Sequence, residues 1–247
     1  MDRLTTERQF HDEQARGRAA YNVRLCFDDA AYLDHETWVR PAFARLGEVR
    51  GQRVLDCGCG HGMAAVVLAR AGARVTAFDL SGGYVEEARA RANANGVLVD
   101  FARADGERLP FADGAFDRVW GCAILHHLDL TKAGVELRRV LRPGGVAVFC
   151  EPWGGNPLLN LARKRLPYHG KHRTPDERPL TPAEVQQLTR IFESVEVRGF
   201  QLLGMARRVV RARRLRAQLD WCDDMLLSRV PALERWCRYV VLTLQRC

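Results

Sequence analysis

The sequence predicts an α/β fold around a parallel sheet, and three observations carry that expectation. From Arg53 onward, short apolar runs alternate with helix-like stretches, the pattern of βαβ units. The first of these runs leads into a glycine-rich turn, Gly58-Cys59-Gly60-His61-Gly62, directly before a helical segment. A length of 247 residues with 47% hydrophobic content suits one core with a modest appendage.

Val54-Leu55 is the first strand, and residues 63–70, rich in Ala, Val and Leu, form the helix after the turn, closed by Gly72. Residues 75–78 are the second strand. A helix over 84–95 follows, with Glu86 and Glu87 early, Arg89 and Arg91 late, and Gly96 just past its end, an order that suits the helix dipole. Residues 97–101 and 116–121 give the third and fourth strands. A helix over 131–141 is stopped by Pro143-Gly144-Gly145, which turns the chain into a fifth strand at 146–150. Thr181-Pro182-Ala183-Glu184 is a capping box with proline at the first helical position, so a helix starts there and runs to about residue 192. Val195 and Val197 alternate with polar neighbours in a strand at 194–199. A last strand at 239–244 follows a helical segment between Met205 and Leu233, and no internal repeat or low-complexity linker intervenes.

The net charge of +8 invites nucleic acid or anionic lipid, yet only three of the basic residues are lysines (Lys132, Lys164, Lys171), a bias that coding composition also produces. Eight cysteines, at 26, 57, 59, 122, 150, 222, 237 and 247, show no Cys-x-x-Cys spacing, and several sit in apolar runs. Reduced, buried thiols are therefore expected in place of a disulfide framework or zinc site. Residues 1–20 are too charged for a signal peptide, and no apolar stretch is long enough to span a bilayer, so a soluble cytoplasmic protein is expected.

Gly58, Gly60 and Gly62 alternate between a strand and a helix, where the backbone must turn tightly and a ligand can approach without a Cβ in the way. Dinucleotide, flavin and adenosyl cofactors all use such a turn. The Gly-x-Gly-x-Gly spacing, with Met63 in place of a third-spaced glycine, and Asp79 at the end of the next strand favour an adenosyl ligand. A carboxylate there accepts hydrogen bonds from both ribose hydroxyls; the alternative is a helix cap near Ser81.

Further along stand Arg103-Ala104-Asp105-Gly106-Glu107-Arg108-Leu109-Pro110-Phe111, Phe116-Asp117-Arg118-Val119, Leu125-His126-His127-Leu128, and residues 137–145 ending in Arg142-Pro143-Gly144-Gly145. Taken in order with the glycine turn and Asp79, these segments resemble the successive motifs of small-molecule class I S-adenosylmethionine-dependent methyltransferases related to the ubiquinone-type enzymes. The resemblance implies a Rossmann-like sheet of seven strands, mostly parallel with the last antiparallel, and helices on both faces. It implies S-adenosyl-L-methionine as cofactor. Gly58, Gly60 and Gly62, with Cys59 among them, would line the methionine and ribose portion. Asp56 would help hold the amino group, often through water, and Asp79 the ribose. Asp105 with the Gly106 backbone would read the adenine edge, Leu80 and Leu109 would flank the ring, and Cys122-Ala123 would pass the methionine moiety. His61 departs from the small polar residue of many relatives, and a solvent-facing ring is the expectation. On this reading residues 1–50 form a helical lid, 51–152 the cofactor-binding core, and 153–247 the substrate cover, a helical insertion and the last two strands, all in one domain.

Methyl transfer needs an acceptor held in line and, for a hydroxyl or protonated amine, a base. His126 and His127 follow the fourth strand and are the catalytic candidates, against a structural role common to such pairs. Glu151 and Trp153 at the end of the fifth strand are candidate acceptor-pocket residues, as are His11 and Tyr32 on the N-terminal extension. Residues 154–179, with Tyr168, His169, His172 and Arg173, are long for a connection and read as substrate cover. The basic stretch from Arg207 to Arg216 is either a solvated helix face or a weak contact for an anionic membrane surface. A small-molecule acceptor of natural-product or lipid-like character, methylated on O, N or C, is expected. The Asn/Asp-Pro-Pro-aromatic signature of amino-methylating nucleic-acid enzymes is absent after the fourth strand, where Gly121-Cys122-Ala123-Ile124 stands, so nucleic acid is disfavoured. No carboxylate cluster for a divalent ion is evident, and no metal is expected. An RNA-directed enzyme, a non-catalytic S-adenosylmethionine binder and a nicotinamide oxidoreductase remain as alternatives.

Overall fold

A computed structural model describes residues 3–19, 24–165, 178–210 and 212–247, so Tyr168, His169, His172 and Arg173 of the expected cover lie outside the described residues. In chain order the main elements are α1 (Arg3–Ala19), α2 (Asp29–Leu33), α3 (Val39–Arg45), β1 (Arg53–Cys57), α4 (Met63–Arg70), β2 (Arg74–Asp79), α5 (Gly82–Ala94), β3 (Val99–Arg103) and β4 (Phe116–Cys122). They continue with α6 (Leu130–Val140), β5 (Leu141–Pro152), α7 (Pro157–Arg165), α8 (Pro182–Leu188), β6 (Ser194–Phe200), α9 (Arg213–Arg229) and β7 (Tyr239–Arg246).

The seven strands form one sheet in the order β3-β2-β1-β4-β5-β7-β6. The first five are parallel, while β7 runs antiparallel between β5 and β6, as the resemblance implies. Alternate side chains of the central strands fall into two separate cores. Leu55, Val119, Phe149 and Leu242 pack with Leu137 of α6 and Leu188 of α8 on one face. Val54, Trp120, Val148 and Val241 pack with Ala42 of α3, Leu68 of α4 and Ala88 of α5 on the other. Burial on both faces explains why these strands read as continuous apolar runs. The strand order reverses between β1 and β4, and an open α/β sheet leaves its crevice beyond the carboxyl ends there.

Several boundaries differ from the sequence expectation. The third strand starts at Val99, not 97, because α5 ends in a Schellman turn: Gly96 has φ +66°, its N–H donates to Asn93 O at 3.1 Å, and the Val97 N–H donates to Ala92 O at 3.2 Å. Pro143-Gly144-Gly145 lies inside β5, where an irregularity lets Leu141 pair with Phe116 and Val146 with Arg118. The capping box at Thr181 and Glu184 is present, but α8 ends at Leu188, short of residue 192.

The stretch from Arg207 to Arg216 is not one amphipathic helix. A 3-10 turn at Gly204–Arg208 precedes α9, Arg207 lies 3.4 Å from Asp220, and Arg216 donates to the carbonyls of Val210 and Arg207 at 2.7 and 3.2 Å. All eight cysteines are free thiols, but only Cys57, Cys59, Cys150 and Cys237 are buried as expected; Cys122 and Cys222 are half-buried, and Cys26 and Cys247 are exposed. Among the described residues no helix is long and apolar enough to cross a membrane.

Gly62 begins α4 at φ +81°, and a Cβ there would meet Ala88 Cβ of α5 at 2.7 Å and its Cα at 2.8 Å. Left-handed backbone costs an L-residue roughly 1–2 kcal/mol and overpacking roughly 1–3 kcal/mol more. Gly62→Ala is therefore expected to destabilise the fold by about 2–5 kcal/mol, seen as a lower midpoint with unchanged slope in urea unfolding.

Candidate active site at the carboxyl ends of the strands

A cavity of about 400 Å³ opens beyond the carboxyl ends of the parallel strands, with the ends of β1, β2 and β4 and residues of α1 in its wall. That volume lies in the range of small-molecule sites. The three glycines of the first turn serve three different ends. A Cβ on Gly58 would strike Ile124 at 2.7 Å, so this glycine lets the loop after β4 approach. Gly60, at φ +50°, has nothing within 4 Å of its missing Cβ and lines the cavity. Gly62 belongs to the α4–α5 contact and does not line the cavity, contrary to expectation.

Asp79 ends β2 with both carboxylate oxygens on backbone donors: Oδ2 accepts from the Gly60 N–H and Oδ1 from the Ser81 N–H, each at 2.9 Å. The helix cap itself is Ser81, whose hydroxyl accepts from the Tyr84 N–H at 3.2 Å. Burial pushes the Asp79 pKa up in spite of these bonds and of nearby His11. Asp56, one residue before the end of β1, is 2% exposed and also faces the cavity. Burial, and secondarily the charge of Asp79, raises its pKa to about 7, and its Oδ2 has no hydrogen-bond partner among the described residues. A buried carboxylate oxygen left without a donor is a costly arrangement that a cationic or donating ligand would relieve.

Around these carboxylates the cavity is lined by Cys59, His61, Leu80, Asp105, Gly106, Cys122 and Ala123. His61 thus faces the cavity instead of solvent. Asp105 is oriented by the Glu107 N–H, which donates to its Oδ1 at 2.9 Å. Ala123 takes φ +55°, a strained conformation held by its N–H donating to Cys150 O at 2.8 Å. Leu109 is packed in the core and outside the cavity; Leu128 supplies an apolar wall instead.

On the other side of the cavity, the two histidines separate. His126 is buried, with its side chain 3% exposed, and its Nδ1 meets Glu151 Oε2 at 2.6 Å. Oε1 of Glu151, itself fully buried, accepts from the N–H groups of Ile124 and Leu125 at 3.0 and 2.8 Å. Neither residue lines the cavity; together they hold the 3-10 turn Leu125–His127 that aims His127 into it. Trp153 is likewise outside, bridged to Leu180 in the core, because the backbone pairing that continues β5 turns it toward α8. Tyr32 and His11 do line the cavity. Burial pushes the Tyr32 hydroxyl pKa well up.

The sequence reading missed Glu7. It sits one helical turn before His11 on α1, 6% exposed, with Oε2 at 3.3 Å from His11 Nε2 and 3.2 Å from His127 Nδ1. Burial opposes charge on His11, but the Glu7 hydrogen bond and the charges of Asp79 and Glu7 carry its pKa above 6.5. The Glu7-x-x-x-His11 spacing is the signal that was available, since it puts both side chains on one helix face. The helix is docked by further polar contacts: Asp12 Oδ1 accepts from the Ser81 hydroxyl at 2.5 Å, Gln14 Oε1 accepts from the Tyr84 hydroxyl at 2.9 Å, and Arg3 reaches Glu107 and the His127 carbonyl.

With this geometry in place, comparison with known proteins is informative. Residues 55–149 match the family described as Methyltransferase domain. A demethylmenaquinone methyltransferase from Clavibacter sepedonicus is 33% identical over 162 residues, 65% of this chain and 65% of the relative. A malonyl-[acyl-carrier protein] O-methyltransferase from Pseudescherichia vulneris is 39% identical over 148 residues, 59% of this chain and 55% of the relative. The chain thus spans between about half and two thirds of the length of these two curated relatives. An S-adenosylmethionine-dependent methyltransferase from Mesorhizobium loti shares the fold at TM-score 0.58 and 22% identity, over 87% of this chain and 100% of that one. The matched segment begins at Leu55, so Glu7, His11 and Tyr32 lie outside it.

Asp56 gives the ligand-free domain a distinctive pH response. The folded carboxyl, at about 7, holds its proton more tightly than the unfolded one near 3.8, so the native state carries the extra proton between those values. Stability therefore falls as pH rises from about 4 to about 7, by up to ~4 kcal/mol from this group alone. Asp56→Asn is expected to remove that slope, measured as urea unfolding free energy across the same range.

Proposed function

We propose that the chain is an S-adenosyl-L-methionine-dependent methyltransferase that acts on a small-molecule acceptor. The observation that carries this reading is the buried, partnerless Oδ2 of Asp56 in the same cavity as Asp79 and the open face of Gly60. The residues fit the cofactor group by group. Asp56 supplies an acceptor for its ammonium, and the outer lone pairs of Asp79 serve its ribose hydroxyls. Asp105 and the Gly106 backbone line the same cavity and would read the adenine edge, Leu80 and Leu128 offer apolar flanks, and Cys59, Cys122 and Ala123 complete the wall. When bound, the cofactor brings a methyl group already activated by its sulfonium, so the protein's task is to orient the acceptor and exclude water.

His127, and not His126, faces the space left for an acceptor. With Glu7 beside it, the ring is placed to take a proton from an acceptor hydroxyl. Leu4, Tyr32 and Ile124 make the same wall apolar, which suits a natural-product or lipid-like molecule. The two curated relatives act on chemically different acceptors by their names, demethylmenaquinone and a malonyl-acyl carrier protein, and the acceptor-facing parts of this chain lie largely beyond the matched domain.

Calorimetric titration with S-adenosylmethionine and S-adenosylhomocysteine tests the proposal. Asp79→Ala is expected to weaken both by 100-fold or more, each lost charge-assisted hydrogen bond being worth about 1.5–3 kcal/mol. Below pH 7 Asp56 must release its proton to pair with the ammonium, so wild-type affinity is expected to rise about tenfold per unit from about pH 5 and level off above about 7. Failure of the wild type to bind either compound at any pH sinks the reading; binding with no methyl transfer to any acceptor would leave a silent binder.

A further inference from the structure

Glu7 and His11 share one face of α1, and His127 comes to the same point from the turn after β4. Glu7 Oε2 lies 3.3 Å from His11 Nε2 and 3.2 Å from His127 Nδ1, and one ligand atom from each of the three falls within 4.8 Å of the others. Bonds of about 2.0 Å in a tetrahedral Zn²⁺ site put neighbouring ligand atoms about 3.3 Å apart, so two of the three edges already have coordination length. We propose that Glu7, His11 and His127 form a binding site for a divalent transition metal, best matched to Zn²⁺, with its fourth position open to an oxygen donor in the cavity.

The donor set selects a transition metal over Mg²⁺ or Ca²⁺, and the near-tetrahedral edge lengths favour Zn²⁺ among them. Two imidazoles and one carboxylate form the three-ligand set of open zinc sites, whereas Mg²⁺ and Ca²⁺ take mostly oxygen. Burial suits a cation, because the Glu7 carboxylate is almost wholly withdrawn from water and needs positive charge close by. The ligands are also braced from outside. Arg3 donates to the His127 carbonyl, and the His11 ring stacks edge-on against His127 with centroids 5.6 Å apart. All three residues line the cavity that holds Asp56 and Asp79, so an oxygen bound at the fourth position lies in acceptor space. The metal site stands on its own geometry; its use rests on the methyl-transfer reading. There the ion would replace His127 as the means of ionising an acceptor hydroxyl: the O–H bond breaks, the proton passes to water, and the electron pair stays on the coordinated oxygen.

Chelator-treated protein titrated with Zn²⁺ against a chromophoric chelator, and with Co²⁺ as a spectroscopic probe, decides the matter. One tightly bound equivalent is expected, weakened at least 100-fold in both Glu7→Gln and His127→Gln, with four-coordinate Co²⁺ bands and no thiolate charge-transfer band. Absence of binding, binding unchanged in both variants, or a thiolate band from the free cysteines overturns the proposal. Thermal melts of the metal-free variants establish that they fold. S-adenosylhomocysteine binding to the same preparations separates the two readings: intact cofactor binding without metal uptake removes only the metal site.

Discussion

The carboxylate of Asp79 ties the site together. By accepting from Gly60 with one oxygen and Ser81 with the other, it fastens the glycine turn of β1 to the start of α5, two segments nineteen or more residues apart in the chain. Cys59 adds a backbone bond to Phe78 O at 2.8 Å in the same seam. The same seam holds Gly60 at the wall of the cavity and presents Ser81, on which Asp12 of α1 docks. It also has an electrostatic cost. Asp79 is buried close enough to Asp56 to raise the latter's pKa, so the two carboxylates resist being charged together.

Much of this was legible in the sequence, because it depends on local pattern. Buried parallel strands show as apolar runs, and Gly58-x-Gly60-x-Gly62 with Asp79 at the next strand end marks the seam by spacing alone. The unread parts depend on contacts between distant segments. Nothing local distinguishes His126 from His127; the fully buried Glu151, twenty-five residues later, takes the first ring into the interior and leaves the second in the cavity. Trp153 looked like a pocket residue because it follows a strand end, yet β5 continues its pairing past Glu151 and carries it into the core. Gly62 shares the motif of Gly60 but answers to Ala88, a residue whose approach only the α4–α5 packing reveals.

The fold also divides the labour of the site. The groups proposed to face the cofactor sit on strand ends and tight turns braced by backbone hydrogen bonds, where position is set by the sheet. Of the groups proposed to face an acceptor, His127 and Ile124 follow β4, while Leu4, Glu7, His11 and Tyr32 come from α1 and α2, which lie outside the sheet and outside the segment matched by the methyltransferase domain family. A cofactor contact can therefore persist while acceptor contacts change, a separation that lets one sheet serve many acceptors.

The docking of α1 sets a timescale as well as a shape. Leu4, Glu7 and His11 form one wall of the cavity, and the helix is secured there by Asp12, Gln14 and Arg3 through polar contacts, many of them partly exposed. Such contacts break far more readily than the two apolar cores on either face of the sheet. On the proposed function, the residence time of a molecule held against Asp56 would then depend on how readily α1 (Arg3–Ala19) lifts from its seat as well as on the binding groups themselves.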